Sequence, residues 1–425
     1  MRLLYTLLLF IAAPFLLLGL YRAKDGKPKV GKRWVEHFGR TPRLTSNTQP
    51  IWVHAVSVGE VLAAKPIILA LRKAYPDASI LVTTTTATGA AIVSKLGDGV
   101  EHRYMPIDFS FAVNGFLKRI NPQAMLIMET ELWPNTLTAV KKAGIPIVVM
   151  NARLSKKSMR GYQRVQPLFD LLSKNIDHIL CQFQDDADRF IQLGVNSQNI
   201  SVSGSVKFDL PEFNETSDHV ISLKQAIKQR PVWVAASTHT GEDEILLDAH
   251  QTLLAEQPDA LMVLVPRHPE RFGGVAALIE QKGFSLSRRG QSQPINDNTQ
   301  VYLGDTMGEM MTLLATSTVT FMAGSLMGEK LGGHNLLEPA SLGKPQITGP
   351  SYFNFQVIGD QLIEAGACEV QDTPSDIANV LLGFMNNPEK CQQAGEAALN
   401  VVERNRGAVA KTLKAIAPWI DAEKQ

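Results

Sequence analysis

From residue 51 onward, short runs of β-branched and aliphatic residues alternate with helical stretches. The runs at 51–56, 80–85, 124–128, 145–150, 179–182 and 200–206 predict the strands of one sheet. They lack the apolar–polar alternation of a half-exposed sheet, and continuous apolar strands are those covered on both faces, as in a parallel sheet. A polar stretch from 210 to 230 interrupts the pattern, which restarts at 232–236, 261–265, 301–303, 319–323 and 346–348. A long amphipathic segment, 388–420, reads as one helical closing element. The pattern predicts two Rossmann-like, doubly wound α/β units joined by a linker, with a cleft expected between the carboxyl ends of their strands, where such sheets bind ligands.

The N-terminus departs from this pattern. Residues 3–21 carry no charge and are almost wholly apolar. At about 1.5 Å per residue, that length comes close to a bilayer core of roughly 30 Å. Pro14 is compatible with such a helix, because lipid forces the backbone to bond internally. Arg22, Lys24, Lys27, Lys29, Lys32 and Arg33 follow, against Arg2 alone before it. The positive-inside rule then places the rest of the chain in the cytoplasm. A cleaved signal peptide is the rival, but Leu20 and Tyr21 stand where its small residues would be. An uncleaved anchor, spanning the membrane or lying in its interface, is expected. The expected division is an anchor at 1–22, a first domain at 23–209, a second at 210–390, and a helical segment at 391–425 packing across the domains.

Composition narrows the classes. At 425 residues the chain exceeds one hydrophobic core and fits two domains. A net charge of +1 gives no global attraction to nucleic acid, and no such partner is expected. Cys181, Cys368 and Cys391 are scattered without metal or disulfide spacing, as in a reducing compartment.

Candidate chemistry gathers at strand ends. His54-Ala-Val-Ser-Val-Gly-Glu60 follows the first strand, and its Ser-x-Gly lets the backbone turn tightly toward a ligand. Glu60 would open a helix there, either as a site carboxylate or as a plain complement to the helix dipole. In Met128-Glu129-Thr130-Glu131-Leu132-Trp133-Pro134-Asn135, two carboxylates at i and i+2 suit orientation or acid–base work. Lys207, in Gly204-Ser205-Val206-Lys207-Phe208-Asp209, is either a cleft cation or a solvated linker lysine.

In the second half, Pro266-Arg267-His268-Pro269 caps a buried strand, and arginine there suits phosphate. Thr306-Met307-Gly308-Glu309 has the form of a capping box, and N–H groups at such a helix start can hold phosphate. Gly332-Gly333-His334-Asn335-Leu336-Leu337-Glu338 ends on an acid that can accept hydrogen bonds from ribose hydroxyls. Metal ligation is not expected. Asp185, Asp186 and Asp188 precede a helical run and read as caps, and His239 with Glu242, Asp243 and Glu244 lacks zinc spacing. Arg153, Lys156, Lys157, Arg160 and Arg164 form one basic helical face, either solvated or turned to anionic lipid.

Together these stretches resemble the bacterial 3-deoxy-D-manno-octulosonic acid (Kdo) transferases of lipopolysaccharide assembly. HAVSVGE, METELWPN, GSVKFD, PRHPERF, GDTMGE and GGHNLLEPA stand in the family's order, and the likeness runs from the anchor past Gly349-Pro-Ser-Tyr-Phe-Asn-Phe355. Leu336 departs from the family pattern, which often has proline there. The resemblance implies a GT-B fold, an inverting metal-independent mechanism without a cofactor, CMP-Kdo as donor and the lipid A precursor lipid IVA as acceptor. It implies Glu60 as general base, with Glu129 and Lys207 as transition-state groups. It also implies a CMP site lined by Pro266, Arg267, Met307, Gly308, Glu309, Asn335, Leu336, Leu337 and Glu338. A UDP-sugar transferase of the same fold and a non-catalytic lipid-binding scaffold are the alternatives.

Overall fold

The computed structural model describes residues 1–21, 29–46 and 48–421, so Arg22, Lys24 and Lys27 of the expected basic run lie outside the described residues. Two compact units form: Met1–Asp209 with Arg406–Gln425, and Leu210–Asn405.

The first unit holds strands β1 (Ile51–His54), β2 (Ile80–Thr84), β3 (Val100–Tyr104), β4 (Ala124–Met128), β5 (Ile147–Ala152), β6 (His178–Cys181) and β7 (Ile200–Val202). They pair in parallel in the order β3-β2-β1-β4-β5-β6-β7. Every residue of β1, β2 and β4 is buried. Trp52 packs with Phe116 and Leu137 in one apolar cluster, while Ile51 and Val53 pack with Ile67 and Ile68 in another. Successive side chains point to opposite faces, so two covered faces explain the unbroken apolar run.

Strand β3 is absent from the sequence reading because Val-Glu-His-Arg-Tyr carries no apolar run. Only Tyr104 of it is buried. Its polarity belongs to an edge covered by a charged segment, Gly31–Phe38. Glu36 accepts from the Tyr104 N–H at 2.8 Å, and Arg33 Nη2 donates to the His102 carbonyl at 3.0 Å.

The second unit holds β8 (Val232–Thr238), β9 (Leu261–Pro266), β10 (Leu286–Arg288), β11 (Val301–Leu303), β12 (Val319–Met322), β13 (Gln346–Thr348) and β14 (Cys368–Val370). Their parallel order is β10-β11-β9-β8-β12-β13-β14. The polar stretch 210–230 contains a helix, Asp218–Ile227, seated by Val220, Leu223 and Ile227.

The chain ends in two helices, Pro388–Asn405 and Ala408–Ile420, which belong to different units. Gly407, at φ 92°, breaks the expected single segment, as left-handed glycines do at helix ends. The Asp209 carboxylate accepts from the Gly407 and Val409 N–H groups at 2.6 Å each, holding the last helix in the first unit. Ile416 and Ile420 bury there beside Ile67 and Leu71.

The helix Arg2–Tyr21 is long and apolar enough to cross a membrane. One side touches the first unit: Asn135 Nδ2 donates to Thr6 Oγ1 at 3.0 Å, and Phe10 meets Phe109 edge-on at 6.4 Å. Leu3, Leu7, Phe15 and Leu18 are exposed.

Candidate active site

In the first sheet the chain winds outward in both directions from β1 and β4, and such reversals are where doubly wound sheets bind ligands. The turn after β1 ends at Ser57, the N-cap of helix Val58–Ala74. Ser57 Oγ accepts from the Glu60 N–H at 3.4 Å and donates to Glu60 Oε1 at 2.8 Å, while Glu60 Oε2 accepts from the Val56 N–H at 2.8 Å. This is a variant of the capping box, with the carboxylate reaching the cap hydroxyl and the N–H one residue before the cap. Glu60 therefore has the structural role set against it in the sequence, in a stronger form than a dipole complement. A carboxylate has about four acceptor sites, and two contacts leave it capacity for a hydroxyl.

Glu129 follows β4 in a left-handed conformation, φ 57°. A non-glycine residue held so costs about 1 kcal/mol or more and commonly marks a site. Its N–H donates to the Met150 carbonyl at 2.9 Å, which fixes the turn. Glu131 accepts from Trp133 Nε1 at 3.2 Å, and Trp133 lies edge-on to buried His54 at 5.3 Å. Lys207 sits in a single helical turn, Val206–Phe208, pinned by the buried side chains on either side of it.

These groups share one electrostatic neighbourhood. Burial pushes the Glu60 carboxyl up, its two hydrogen bonds oppose that, and the like charges of Glu131 and Glu129 add to the rise. Burial likewise raises Glu129 against the opposing charges of Lys207 and Arg153. Burial lowers Lys207, with Glu129 opposing. The structure thus gathers Glu60, Glu129, Glu131, Lys207 and Arg153. Arg153 is a revision: it precedes the exposed basic helix Lys156–Arg164 and faces the acids.

Asn151 went unnoticed in the sequence. It is fully buried at φ 52°, and its Oδ1 accepts from the Val206 N–H at 3.3 Å, tying β5 to the turn that carries Lys207. An asparagine at the end of an apolar strand was the available signal, since asparagine tolerates that conformation.

In the second unit Arg267 is exposed just beyond buried Pro266. Gly308 has φ 84°, and Met307 is exposed. The box expected at Thr306 and Glu309 does not form: helix Met310–Leu314 starts without a side-chain cap. Glu309 instead takes a two-pronged bond from Arg289, with Nε at 2.7 Å, and that bond holds its carboxyl below the usual range. A charge-assisted fork is stronger than a neutral cap. Asn335 Nδ2 donates to Glu338 at 3.2 Å, and burial raises the Glu338 carboxyl. The Leu336 and Leu337 side chains lie in the core, so only their backbone can face a ligand. Asp185 and Asp186 pair with Arg189, and Asp186 also accepts from the Leu154 N–H at 2.9 Å.

A family model described as 3-deoxy-D-manno-octulosonic-acid transferase (kdotransferase) matches residues 32–210, and one described as glycosyl transferases group 1 matches 234–401. The chain is 39% identical to the 3-deoxy-D-manno-octulosonic acid transferase of Haemophilus influenzae over 99% of each chain. It is 35% identical to that of Bordetella pertussis, over 98% of this chain and 99% of the relative. The chain belongs to the 3-deoxy-D-manno-octulosonic acid transferase family. It is therefore a glycosyltransferase. A crystal structure of a UDP-N-acetylglucosamine 2-epimerase from Listeria monocytogenes, itself described as putative, is 14% identical with a TM-score of 0.57, covering 88% of this chain and 97% of its own. That likeness concerns the fold, and the two parallel-sheet units have the GT-B architecture.

Proposed function

We propose that this member of the family moves Kdo from CMP-Kdo to lipid IVA in lipopolysaccharide core biosynthesis, with inversion and without a metal ion. The observation that carries the reading is the buried Glu60 carboxyl beside Glu129, Glu131 and Lys207. An inverting displacement needs the acceptor hydroxyl to lose its proton as its oxygen attacks the anomeric carbon. Glu60 takes that proton late, in the transition state, and its raised affinity for protons strengthens it as a base. Glu129 and Lys207 stabilise the charges that develop.

The leaving cytidylate is already a good anion and needs no general acid. Arg267 and the N–H groups of Gly308 and Glu309 meet its growing charge, while Glu338 accepts from the ribose hydroxyls. In this reading residues 23–209 take the acceptor and 210–390 the donor. The N-terminal helix holds them at the cytoplasmic face of the inner membrane, with the basic helix Lys156–Arg164 against anionic lipid.

Titrating the full chain with CMP and UDP tests the donor. The reading expects tighter binding of CMP and turnover unaffected by EDTA. Tighter UDP binding reassigns the chain to a UDP-sugar donor.

A further inference from the structure

In the second sheet the strand order reverses about β8: β9, β11 and β10 lie to one side, β12, β13 and β14 to the other. Three histidines outside the roles assigned above arrive at that reversal. His239 follows β8, His268 follows β9, and His334 comes on the glycine-rich loop after β12. The rings of His239 and His334 stack 9° from parallel with centroids 5.0 Å apart, and their Nε2 atoms lie 2.8 Å apart. His268 meets His239 edge-on at 5.2 Å.

Several features build this cluster. Ser237 is held at φ 59°, and the register of β8 against β9 slips between Ala236 and Thr238, so the chain is redirected just before His239. The fully buried Glu242 carboxylate accepts from the His239, Gly324, Ser325 and Leu326 N–H groups at 2.8–3.0 Å, locking the two loops together. Gly324 is at φ 76°, and a Cβ there would stand 2.6 Å from His334 Cδ2, so glycine makes the seat for that ring.

The contact between the two Nε2 atoms fixes the tautomers. One ring donates there, so the other must accept and must carry its proton on Nδ1. Among the described residues neither Nδ1 has a hydrogen-bond partner, which leaves at least one N–H for a ligand. Burial and the positive charge of Arg267 hold His334 down at about 4, so the pair stays neutral near pH 7 while Arg267 supplies the positive field.

We propose that His239, His268 and His334, beside Arg267, form a subsite for an oxyanion of the sugar-nucleotide donor, either its phosphate or the carboxylate of its sugar. The inference rests on the donor reading above and adds three residues to it. Imidazole N–H groups and a guanidinium suit an anionic oxygen, whereas a ribose or a base would have no use for so much donor capacity.

The test uses the full chain and three variants: His239→Phe and His334→Phe, which keep the stack and remove the nitrogens, and His268→Ala, whose half-exposed ring can be lost without disturbing the core. CMP affinity is measured by calorimetry and KM for CMP-Kdo by turnover, with melting curves as the folding control. A CMP affinity weakened about 10-fold or more, as expected for losing a hydrogen bond to a charged group, places the phosphate there. Unchanged CMP affinity with KM for CMP-Kdo raised by a similar factor places the sugar carboxylate there. If all folded variants keep both values, the subsite is overturned and the rings are packing alone. A wild-type chain that fails to bind CMP sinks the donor reading first, and is distinguishable because it shows before any variant is made.

Discussion

Glu60 serves a capping box and a proposed base with the same two oxygens. The two uses are compatible because the cap fixes the carboxylate's direction while burial and like charges raise its proton affinity. The base works only when unprotonated, so turnover falls as pH drops through its pKa. A raised pKa moves that acid limb above the ordinary glutamate value of about 4.3. Glu131→Gln removes the like charge that raises Glu60 the more of the two, so the limb should shift to lower pH, with activity retained further into acid. A pH–rate profile checks this, and an unmoved limb would show that Glu131 does not act on the base. Residues such as Glu60, Glu129 and Lys207 were legible because each follows an apolar strand within a short motif. Asn151 and Glu242 were not, because their partners are backbone N–H groups brought in by the fold: from residue 206 in one case, and from residues 324–326 in the other.

Among the elements, the interior strands and the edge strand β7 could be read, and the edge strands β3, β10 and β14 could not. β1 and β4 are buried throughout because both faces are covered, whereas β3 is polar and β10 and β14 are three residues each with a charged residue among them. The capping pattern shows the limit of motif reading, since Ser57-x-x-Glu60 and Thr306-x-x-Glu309 look alike in sequence. Only the first forms a box, because Arg289 lies within reach of Glu309. Close packing also hides in plain glycines. The helix Pro388–Asn405 lies against the short helix Leu337–Ser341 that carries Glu338, and a Cβ on Gly395 would stand 2.3 Å from the Gly343 carbonyl oxygen. Gly395→Ala should therefore force the two apart, costing about 1–3 kcal/mol, and should weaken CMP binding although it touches no ligand. Melting curves and calorimetry on the same sample check both. Wild-type values would mean that the backbone relaxes freely there.

For the whole molecule, the two α/β units were legible, but the return of the last helix to the first unit was not, because one left-handed glycine decides it. Histidine burial works against stability in acid. His37, His54, His250 and His334 are pushed down to about 4 and His102 to about 3, burial being the leading cause in each. Above the ordinary value near 6.5 both folded and unfolded forms are neutral. Between that value and about 4 the unfolded chain binds protons that these folded rings refuse, so their contribution to stability is full above pH 6.5 and falls as pH drops toward 4. The raised carboxyls of Glu60, Glu129 and Glu338 act in the opposite direction, so the histidine part is read from ring signals by NMR. The five rings should stay neutral at pH 5, and protonated rings there would contradict this burial. At the membrane, deleting residues 1–21 should release the chain only partly from anionic vesicles, since each exposed basic residue of Lys156–Arg164 adds about 1 kcal/mol near such a surface. The residue should wash off in high salt. Complete release at low salt would leave that helix a solvated face.

The most direct test of the account follows product mass over time with purified chain, CMP-Kdo and lipid IVA, comparing wild type with Glu60→Gln. The substitution keeps size and removes basicity, and positioned general-base catalysis is worth roughly 10²–10⁴-fold. The account predicts that wild type adds Kdo to lipid IVA with one CMP released per sugar, and that the variant, folded and binding CMP as before, is slower by about that factor. A variant that transfers at the wild-type rate would contradict Glu60 as the base, and a wild type that adds no Kdo would contradict the proposed reaction.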